Sequence, residues 1–379
     1  MESSNGHKER STKGHIASST EPPPLRIAMV MPPWYEVPPA GYGGLERVCA
    51  SLIDGLIARG HDVTLFGTGP STGTKARFVS THPELQYPRL LESMPELVHV
   101  TQVNELIEQG SFDIVHDHTT VGPVTAVKRS VPSVVTVHGC PVGELNDYLS
   151  RVDDSVSLIA ISHAQRKVAP NLRWTTTIHH GIEVDGPLKT EPSQGPVLWL
   201  GRFAHDKGPD LAIEACRKAG LPLVLAGKCN QKDEWQYLDE VVTPILGPDV
   251  ELIVNGQRDQ TEKLLFEARS LIMPIRWEEP FGMVMIEAMA KGTPVVALRH
   301  GAVPEVILHG RTGLVCTEDT ELPEALLEAQ AMDPADCIRH VQTSFSVDLM
   351  AQRYERAYRS LIGGQQHTAP LKALHTDLI

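Results

Sequence analysis

Two glutamates flank a point where a predicted strand gives way to a predicted helix. Glu279 follows the apolar run 271–274, and Glu287 lies eight residues later, in a pattern that predicts a helix over 281–291. Pro280 suits the first position of that helix. Ligands of open α/β sheets bind at the carboxyl ends of the strands, so both acids are predicted to face a ligand.

The first turn of this predicted helix suits an anion, because the backbone N–H groups near Gly282, Met283 and Val284 would lack partners within the helix. Helical rise over eight residues separates the two carboxylates by roughly 12 Å. The carboxylates of a glycosidase lie closer, about 5–9.5 Å apart. The spacing therefore favours two ends of one extended ligand with a phosphate between them. The alternative is a buried helix with two solvated acids.

Two cations occupy another predicted strand-to-helix loop. Arg202 and Lys207 lie five residues apart in the loop 201–208, which follows the predicted strand 197–200. Arginine can fork onto two phosphate oxygens while lysine acts as a point charge, so the two can converge on one diphosphate. Such a pair substitutes for a metal ion on a departing diphosphate. Two cations on a solvated loop are the alternative interpretation.

A pair of glycines precedes the first predicted helix. Gly43 and Gly44 follow the predicted strand 25–31 and open a helix over 45–59. Glycine lets the backbone approach a ligand closely, and a helix N-terminus favours phosphate. With the next strand, 61–66, this segment predicts the opening of a Rossmann-like half.

Histidines follow two further predicted strands. His116 and His118 form an H-x-H after the strand 112–115, and both rings of such a pair face one side, as a metal site would require. No third ligand is apparent in the sequence, so no metal site is predicted. His138 follows the strand 134–137 and precedes a glycine, which is the position of a site residue. Packed structural histidines are the alternative.

Composition predicts a globular protein of two domains. The chain has 379 residues, 41% of them hydrophobic and 21% charged. A net charge of −13 argues against nucleic-acid partners and against a basic membrane-docking face. The six cysteines are scattered without a C-x-x-C pair, which favours reduced thiols and a cytoplasmic location. Neither an apolar run of about 18 residues nor a signal-peptide core is present.

Composition shifts also predict the domain boundaries. The stretch 187–196 is rich in Pro, Ser, Gly and charge, which is typical of a linker. The predicted order is a disordered tail (1–24), a first domain (25–186), a second domain (187–344), a helix that crosses back to the first domain (345–362) and a flexible tail (363–379).

Three motifs occur in order at predicted strand-to-helix turns: G-G at 43–44, G-R-x4-K-G at 201–208 and E-x7-E at 279–287. Together they resemble the family-4 retaining glycosyltransferases, and the resemblance covers about residues 25–361. The wider P-P-A-G-Y-G-G loop at 38–44 is similar to that of avilamycin-type antibiotic glycosyltransferases. The resemblance implies the α/β GT-B fold, in which two Rossmann-like parallel-sheet domains, one for the acceptor and one for the donor, face each other across a cleft.

The resemblance also implies roles for individual residues. Glu287 would bind the ribose hydroxyls and Glu279 the sugar hydroxyls, while His138 would lie beside the reacting sugar and His118 on the acceptor side. The turn that ends at Arg258 would hold the nucleobase. The implied catalytic residues are His138, Arg202, Lys207 and Glu279. The implied donor-binding residues are Gly43, Gly44, Arg202, Lys207, Arg258, Glu279, Phe281, Gly282, Met283, Val284 and Glu287.

The reaction implied is transfer of a sugar from a nucleotide-diphosphate sugar to a hydroxyl, with retention, by a metal-independent front-face mechanism. A UDP- or GDP-sugar is the expected donor, and a small molecule or saccharide the expected acceptor, without nucleic acid and without strong membrane association. The alternatives are a sugar-nucleotide 2-epimerase of the same fold and a non-catalytic protein that binds sugar nucleotides. A pyridoxal-phosphate phosphorylase is disfavoured because the chain is short for that class. The sequence selects no particular sugar, acceptor or oligomeric state.

Overall fold

The structure is a computed structural model that describes residues 22–39, 43–90, 92–127 and 129–366. Most of both predicted tails, residues 1–21 and 367–379, lies outside the described part. Within the described ranges the chain forms two parallel sheets, one of seven strands and one of six, each flanked by helices. The α/β architecture with two parallel-sheet domains is therefore confirmed.

The first sheet has the strand order β3-β2-β1-β4-β5-β6-β7. Its central strands are mostly apolar runs because helices cover both faces of a parallel sheet. The strands are β1 Arg26–Val30, β2 Asp62–Thr68, β3 Arg77–His82, β4 Ile114–Asp117, β5 Ser133–Val137, β6 Val156–Ala160 and β7 Trp174–Thr177. The helices are α1 Gly44–Ala58, α2 Ser93–Gln109, α3 Gly122–Ala126, α4 Glu144–Leu149 and α5 His163–Val168.

The second sheet has the order β10-β9-β8-β11-β12-β13. The predicted domain boundary falls between β7 and β8. The strands are β8 Val197–Arg202, β9 Leu223–Lys228, β10 Val250–Val254, β11 Ser270–Met273, β12 Val295–Leu298 and β13 Gly313–Cys316. The helices are α6 Pro209–Ala219, α7 Lys232–Tyr237, α8 Arg258–Glu267, α9 Met283–Ala290, α10 Val303–Val306, α11 Leu322–Glu328, α12 Pro334–Ser344 and α13 Val347–Gln366.

The last helix, α13, crosses back to the first domain. Arg59 at the end of α1 forms ion pairs with Asp348 (2.8 Å) and Glu355 (2.9 Å) of α13. Tyr354 and Tyr358 are buried in the core of the first domain. The helix continues to Gln366, past the predicted end at residue 362. In the described ranges no helix combines the length and the apolarity that crossing a bilayer would need.

The helix after the acid loop is shorter than the sequence predicts. It begins at Met283 instead of Phe281, and Gly282 caps it in the left-handed conformation, with φ of 82°. A residue in that conformation cannot belong to a right-handed helix, so the prediction that Pro280 takes the first helical position is wrong. Glu279 lies outside the helix, and the separation of roughly 12 Å that was derived from helical rise does not apply.

Candidate active site

A cavity of about 320 Å³ lies at the carboxyl ends of the strands of both sheets. It contains nine of the predicted site residues: Gly44, His138, Arg202, Lys207, Glu279, Phe281, Gly282, Met283 and Val284. Leu45, Val48, Ile161 and His180 complete the side contributed by the first domain, and Trp199, Met273, Ile275 and Trp277 are among the residues that complete the side contributed by the second. The two domains therefore build this cavity together.

Glu279 and Lys207 form the charged centre of the cavity. The Lys207 ammonium lies 2.7 Å from Oε2 of Glu279, and both side chains are largely buried. The indole N–H of Trp277 donates to the same oxygen at 3.0 Å. The ammonium also lies 4.3 Å from the centroid of the Trp277 ring, in cation–π contact. Trp277 thus fixes both members of the ion pair, a role that the sequence analysis did not assign to it.

Arg202 reaches the same cavity from the end of β8. Its guanidinium lies 3.2 Å from Oε1 of Glu234 and 3.8 Å from Asp206. Glu234 is buried, and its other oxygen accepts the backbone N–H groups of Asn230 and Gln231. The Arg202 side chain itself is 49% exposed, so its charge stays open to a ligand although its position is guided by two carboxylates.

The backbone around Glu279 is held by two glycines. A Cβ at Gly282 would lie 2.5 Å from Cε of Met285 and 3.2 Å from Cγ of Glu279. A Cβ at Gly301 would lie 2.2 Å from the carbonyl oxygen of Glu279. That same carbonyl accepts the N–H of Ala302 at 2.9 Å. The acid loop is therefore fixed by close backbone packing against the turn before α10.

Four predicted site residues do not line the cavity. Glu287 is buried on α9, where Oε1 lies 3.3 Å from Nη1 of Arg47 on α1 of the first domain. Arg258 forms an ion pair with Glu262 on its own helix, at 2.9 Å. Gly43 caps α1, and a Cβ there would lie 2.9 Å from Oε2 of Glu46.

His118, the fourth, lies behind His138 in a cluster of imidazoles. Nδ1 of His118 is 2.8 Å from Nε2 of His138. The His138 ring stacks on His180 with centroids 5.4 Å apart, and His180 packs edge-on against Phe281 at 5.0 Å. Burial lowers the pKa of His118 and His138 well below the ordinary value, and lowers that of His180 to about 3. All three rings are therefore neutral near pH 7.

His116 belongs to a hydrogen-bonded network beneath this cluster. Its Nδ1 lies 2.6 Å from the hydroxyl of Tyr358, and its Nε2 lies 2.7 Å from Oγ1 of Thr136. Thr136 is in turn 2.9 Å from the hydroxyl of Tyr354. Both ring nitrogens of His116 are thus used by protein groups, so the H-x-H pair does not act as a unit on a metal. This network joins α13 to the site and was not expected from the sequence.

Glu305 connects the two domains. Its carboxylate accepts the backbone N–H groups of His163, at 2.8 Å, and Ala164, at 2.5 Å, at the start of α5. Nε2 of His179 lies 3.0 Å from Oε2 of Glu305. Burial opposes the charge, but these hydrogen bonds outweigh it and lower the pKa of Glu305. A carboxylate of the second domain therefore caps a helix of the first.

Two family models match consecutive parts of the chain. The model of Glycosyltransferase Family 4 matches residues 42–185, and the model of glycosyl transferases group 1 matches residues 188–332. The glycogen synthase of Mycobacterium tuberculosis is 28% identical over 84% of this chain and 89% of its own length.

Solved structures share the fold. AviGT4, a glycosyltransferase involved in avilamycin A biosynthesis, superposes with a TM-score of 0.71 at 24% identity, covering 90% of this chain and 99% of that one. Anabaena HepE in complex with UDP-glucose gives a TM-score of 0.68 at 17% identity, covering 89% of this chain and all of that one.

These matches and the two-domain architecture define a glycosyltransferase that takes its sugar from a nucleotide sugar. The chain belongs to glycosyltransferase family 4, and its fold is GT-B-like. The resemblance that the three motifs carry in the sequence is thereby confirmed.

Proposed function

We propose that the protein is a retaining glycosyltransferase that acts without a metal ion on a UDP- or GDP-sugar. One observation carries the proposal: the cavity brings Arg202 and Lys207 next to Glu279 and the start of α9, opposite Gly44 and His138. A donor of this kind has one diphosphate and one sugar ring. The cavity offers cations and N–H groups for the former, and a carboxylate for the hydroxyls of the latter.

The diphosphate would lie against Lys207, Arg202 and the first turn of α9. Lys207 already contacts Glu279 at 2.7 Å, so a bound diphosphate would share this cation with the carboxylate. Arg202 is half exposed and free to fork onto two phosphate oxygens. As the bond to the sugar breaks, negative charge grows on the diphosphate, and two fixed cations stabilise it more than they stabilise the ground state.

A front-face reaction agrees with the environment of the nearest carboxylate. Oε2 of Glu279 accepts hydrogen bonds from Lys207 and Trp277, which suits a group that orients sugar hydroxyls more than a nucleophile. In the front-face mechanism an oxygen of the leaving diphosphate accepts the proton of the acceptor hydroxyl. His138 is neutral and lines the cavity, so it would position donor and acceptor through a hydrogen bond rather than through charge.

A small molecule or saccharide is the acceptor class we infer, bound on the first domain. The relative named glycogen synthase and the structural neighbour involved in avilamycin A biosynthesis support this class. The complex of HepE with UDP-glucose supports UDP as one of the two donor bases. Glu287 would bind the ribose once the donor reorganises its contact with Arg47.

Substitution of the cations tests the proposal. Lys207→Met and Arg202→Gln are expected to lower kcat/KM for transfer by about 10²–10³-fold, because each removes a fixed charge from the leaving diphosphate. Lys218→Met and Arg217→Gln are matched controls, since both cations lie on α6 outside the cavity lining, where Lys218 pairs with Glu214 and Arg217 pairs with Asp249. Transfer at wild-type rates in the first pair would refute the diphosphate assignment.

A donor screen precedes this measurement and separates the alternatives. A thermal-shift screen of UDP- and GDP-sugars should show stabilisation by at least one of them. That donor, incubated alone and followed by NMR, should keep its sugar configuration, whereas a 2-epimerase would convert it. Donor binding without transfer to any small-molecule or saccharide acceptor would instead indicate a non-catalytic binding protein.

A further inference from the structure

Three potential metal ligands meet behind the donor cavity, and each comes from a different element. Cys49 lies on α1, His118 follows β4 and His138 follows β5. Their ligand atoms all lie within 4.8 Å of one another. Sγ of Cys49 is 3.5 Å from Nδ1 of His118, which is 2.8 Å from Nε2 of His138. We call these residues the Cys–His–His cluster.

Two of the three distances between ligand atoms in this cluster can be compared with those of a zinc site, and the third is at most 4.8 Å. Zn–N distances of about 2.0–2.1 Å and a Zn–S distance of about 2.3 Å place tetrahedral ligands roughly 3.3 Å (N to N) and 3.6 Å (N to S) apart. The observed 3.5 Å between sulfur and nitrogen already fits. The two imidazoles, at 2.8 Å, share a proton, and they would separate by about half an ångström when a metal ion replaces it.

The second nitrogen of His118 prepares this ring for a metal. Its Nε2 lies 3.1 Å from Sδ of Met29, and a thioether can only accept a hydrogen bond. The proton of the neutral ring therefore belongs on Nε2, which leaves the lone pair of Nδ1 directed at His138 and Cys49. A contact that fixes the tautomer of a metal-binding histidine is a usual part of such sites.

The cluster is reached through the donor cavity. His138 lines that cavity, while Cys49 and His118 are buried behind it. His116, whose ring lies 4.1 Å from that of His118, has both nitrogens bonded to Tyr358 and Thr136 and is not a ligand. Two imidazoles and a thiol are the donor set of Zn²⁺ and of similar borderline transition-metal ions, rather than of Mg²⁺ or Ca²⁺.

We propose that the Cys–His–His cluster binds a borderline divalent transition-metal ion such as Zn²⁺, and that the bound ion blocks glycosyl transfer. The Cys49 thiol loses its proton to solvent as the sulfur–metal bond forms, and the proton that His138 carries on Nε2 moves to its Nδ1. The ion then takes a lone pair from Nδ1 of His118 and one from Nε2 of His138. His138 is then held by the metal and can no longer hydrogen-bond the donor or the acceptor. Metal binding stands by itself, whereas the block of transfer rests on the proposed function.

Cobalt substitution tests the binding. Titration of the metal-free wild-type protein with Co²⁺ should give one equivalent of a near-ultraviolet sulfur-to-cobalt charge-transfer band, together with the visible bands of tetrahedral cobalt. The band reports sulfur, so it separates this cluster from His163, His179 and Glu305, a second group of potential ligands among the described residues, which has no sulfur. Zn²⁺ should then displace cobalt and remove the band.

Two cysteine variants decide which thiol binds. Cys49→Ser should lose the charge-transfer band and Cys140→Ser, which alters a half-buried thiol outside the cluster, should keep it. Thermal unfolding of both variants checks that they fold, and Cys49→Ala replaces the serine variant if it does not. No sulfur-to-cobalt band in the wild-type protein, or an unchanged band in folded Cys49→Ser, would overturn the proposal.

Inhibition is measured separately in the transfer assay. Zn²⁺ should inhibit the wild-type enzyme reversibly, with recovery on addition of a chelator, and Cys49→Ser should require at least about tenfold more Zn²⁺, because loss of about 1.4 kcal/mol of binding free energy is a factor of ten. Cobalt binding to the cluster without any inhibition by Zn²⁺ would refute the block while leaving the site in place.

Discussion

The two sides of the cavity differ in their electrostatics: one is charged and the other is neutral. On the second domain, the donor wall (Arg202, Lys207, Trp277 and Glu279) keeps its charges at the surface of the cavity. Lys207 pairs there with Glu279, and Arg202 pairs with Asp206 and Glu234. On the first domain, the histidine wall (His138 and His180, which line the cavity, and His118 behind them) is desolvated and neutral. One side is therefore built to exchange charged partners, and the other to stay uncharged.

This difference suggests separate roles for the two walls in sugar transfer. A diphosphate can share Arg202 and Lys207 with the carboxylates that now contact them. The half-exposed guanidinium of Arg202 can shift at little cost. The histidine wall would lose its fit if it were protonated, because buried charges in close-packed imidazoles repel each other. We infer that the donor wall supplies charge stabilisation and the histidine wall supplies position.

Acid should therefore destabilise the folded protein through its buried histidines, and this loss of stability is the largest effect that we predict. The unfolded chain protonates its histidines below about pH 6.5, whereas the folded chain keeps the buried rings of His116, His118 and His180 neutral. The unfolded state thus binds more protons, so stability decreases as the pH falls. As the pH falls from 6.5 towards the folded pKa of a ring, each of these rings lowers the free energy of unfolding by up to about 1.4 kcal/mol per pH unit. Urea unfolding at pH 7.5, 6.5 and 5.5 measures the slope.

A variant separates the histidine wall from the rest of the chain. His180→Asn removes one titrating ring. The difference in bound protons between the unfolded and folded states, which sets the slope of stability against pH, should therefore decrease by about one. His99 in the first domain, whose pKa burial lowers to about 3, contributes with the same sign and stays in both proteins. A wild-type stability that does not change between pH 7.5 and 5.5 would contradict the neutral histidine wall.

The donor wall should be sensitive to the position of Glu279 rather than to pH. Gly301→Ala places a methyl group 2.2 Å from the carbonyl oxygen of Glu279 and 2.3 Å from its backbone nitrogen, at a φ of 54° that L-residues rarely adopt. Displacement of Glu279 by about 1 Å is expected to lower kcat by about 10²-fold, because near-attack geometry is lost. Steady-state kinetics with the donor found in the screen measures it.

Gly220→Ala is the matched control for this change. Gly220 also has a positive φ, 67°, but nothing lies within 4 Å of its missing Cβ, and it caps α6. It should cost about 1–2 kcal/mol of stability through backbone strain, without a change in kcat. Equal kinetic loss in the two variants would mean that the strain, and not the position of Glu279, limits transfer.

The same contrast explains what the sequence could reveal. The donor wall is made of local motifs, so Arg202, Lys207, Glu279 and Gly282 could be read from spacing within one loop each. The predicted start of α9 lies two residues before the observed one, because a glycine inside an apolar helical pattern does not indicate a left-handed conformation. Trp277 could have been noticed as an indole two residues before the acid.

The surroundings of the cavity depend on contacts between distant parts of the chain. Tyr358 meets His116 across 242 positions, and Arg47 meets Glu287 across 240. No local pattern encodes such pairs. The sequence patterns also leave the strand β3 and the helix α2 unpredicted. β3 lies at the edge of its sheet, and all of its residues are exposed or partly exposed. It therefore lacks the apolar run that marks the central strands.

The smallest predicted effect concerns the support beneath the histidine wall. Tyr358→Phe removes the hydroxyl that lies 2.6 Å from Nδ1 of His116 and leaves a buried nitrogen without that partner, which should cost about 1–3 kcal/mol of unfolding free energy. Tyr354→Phe should cost less, since Thr136 keeps its contact with His116. Both should keep kcat within about threefold, because neither tyrosine lines the cavity. Urea unfolding and the transfer assay measure the two quantities, and a large fall in kcat with unchanged stability would show that α13 tunes His138 directly instead of supporting it.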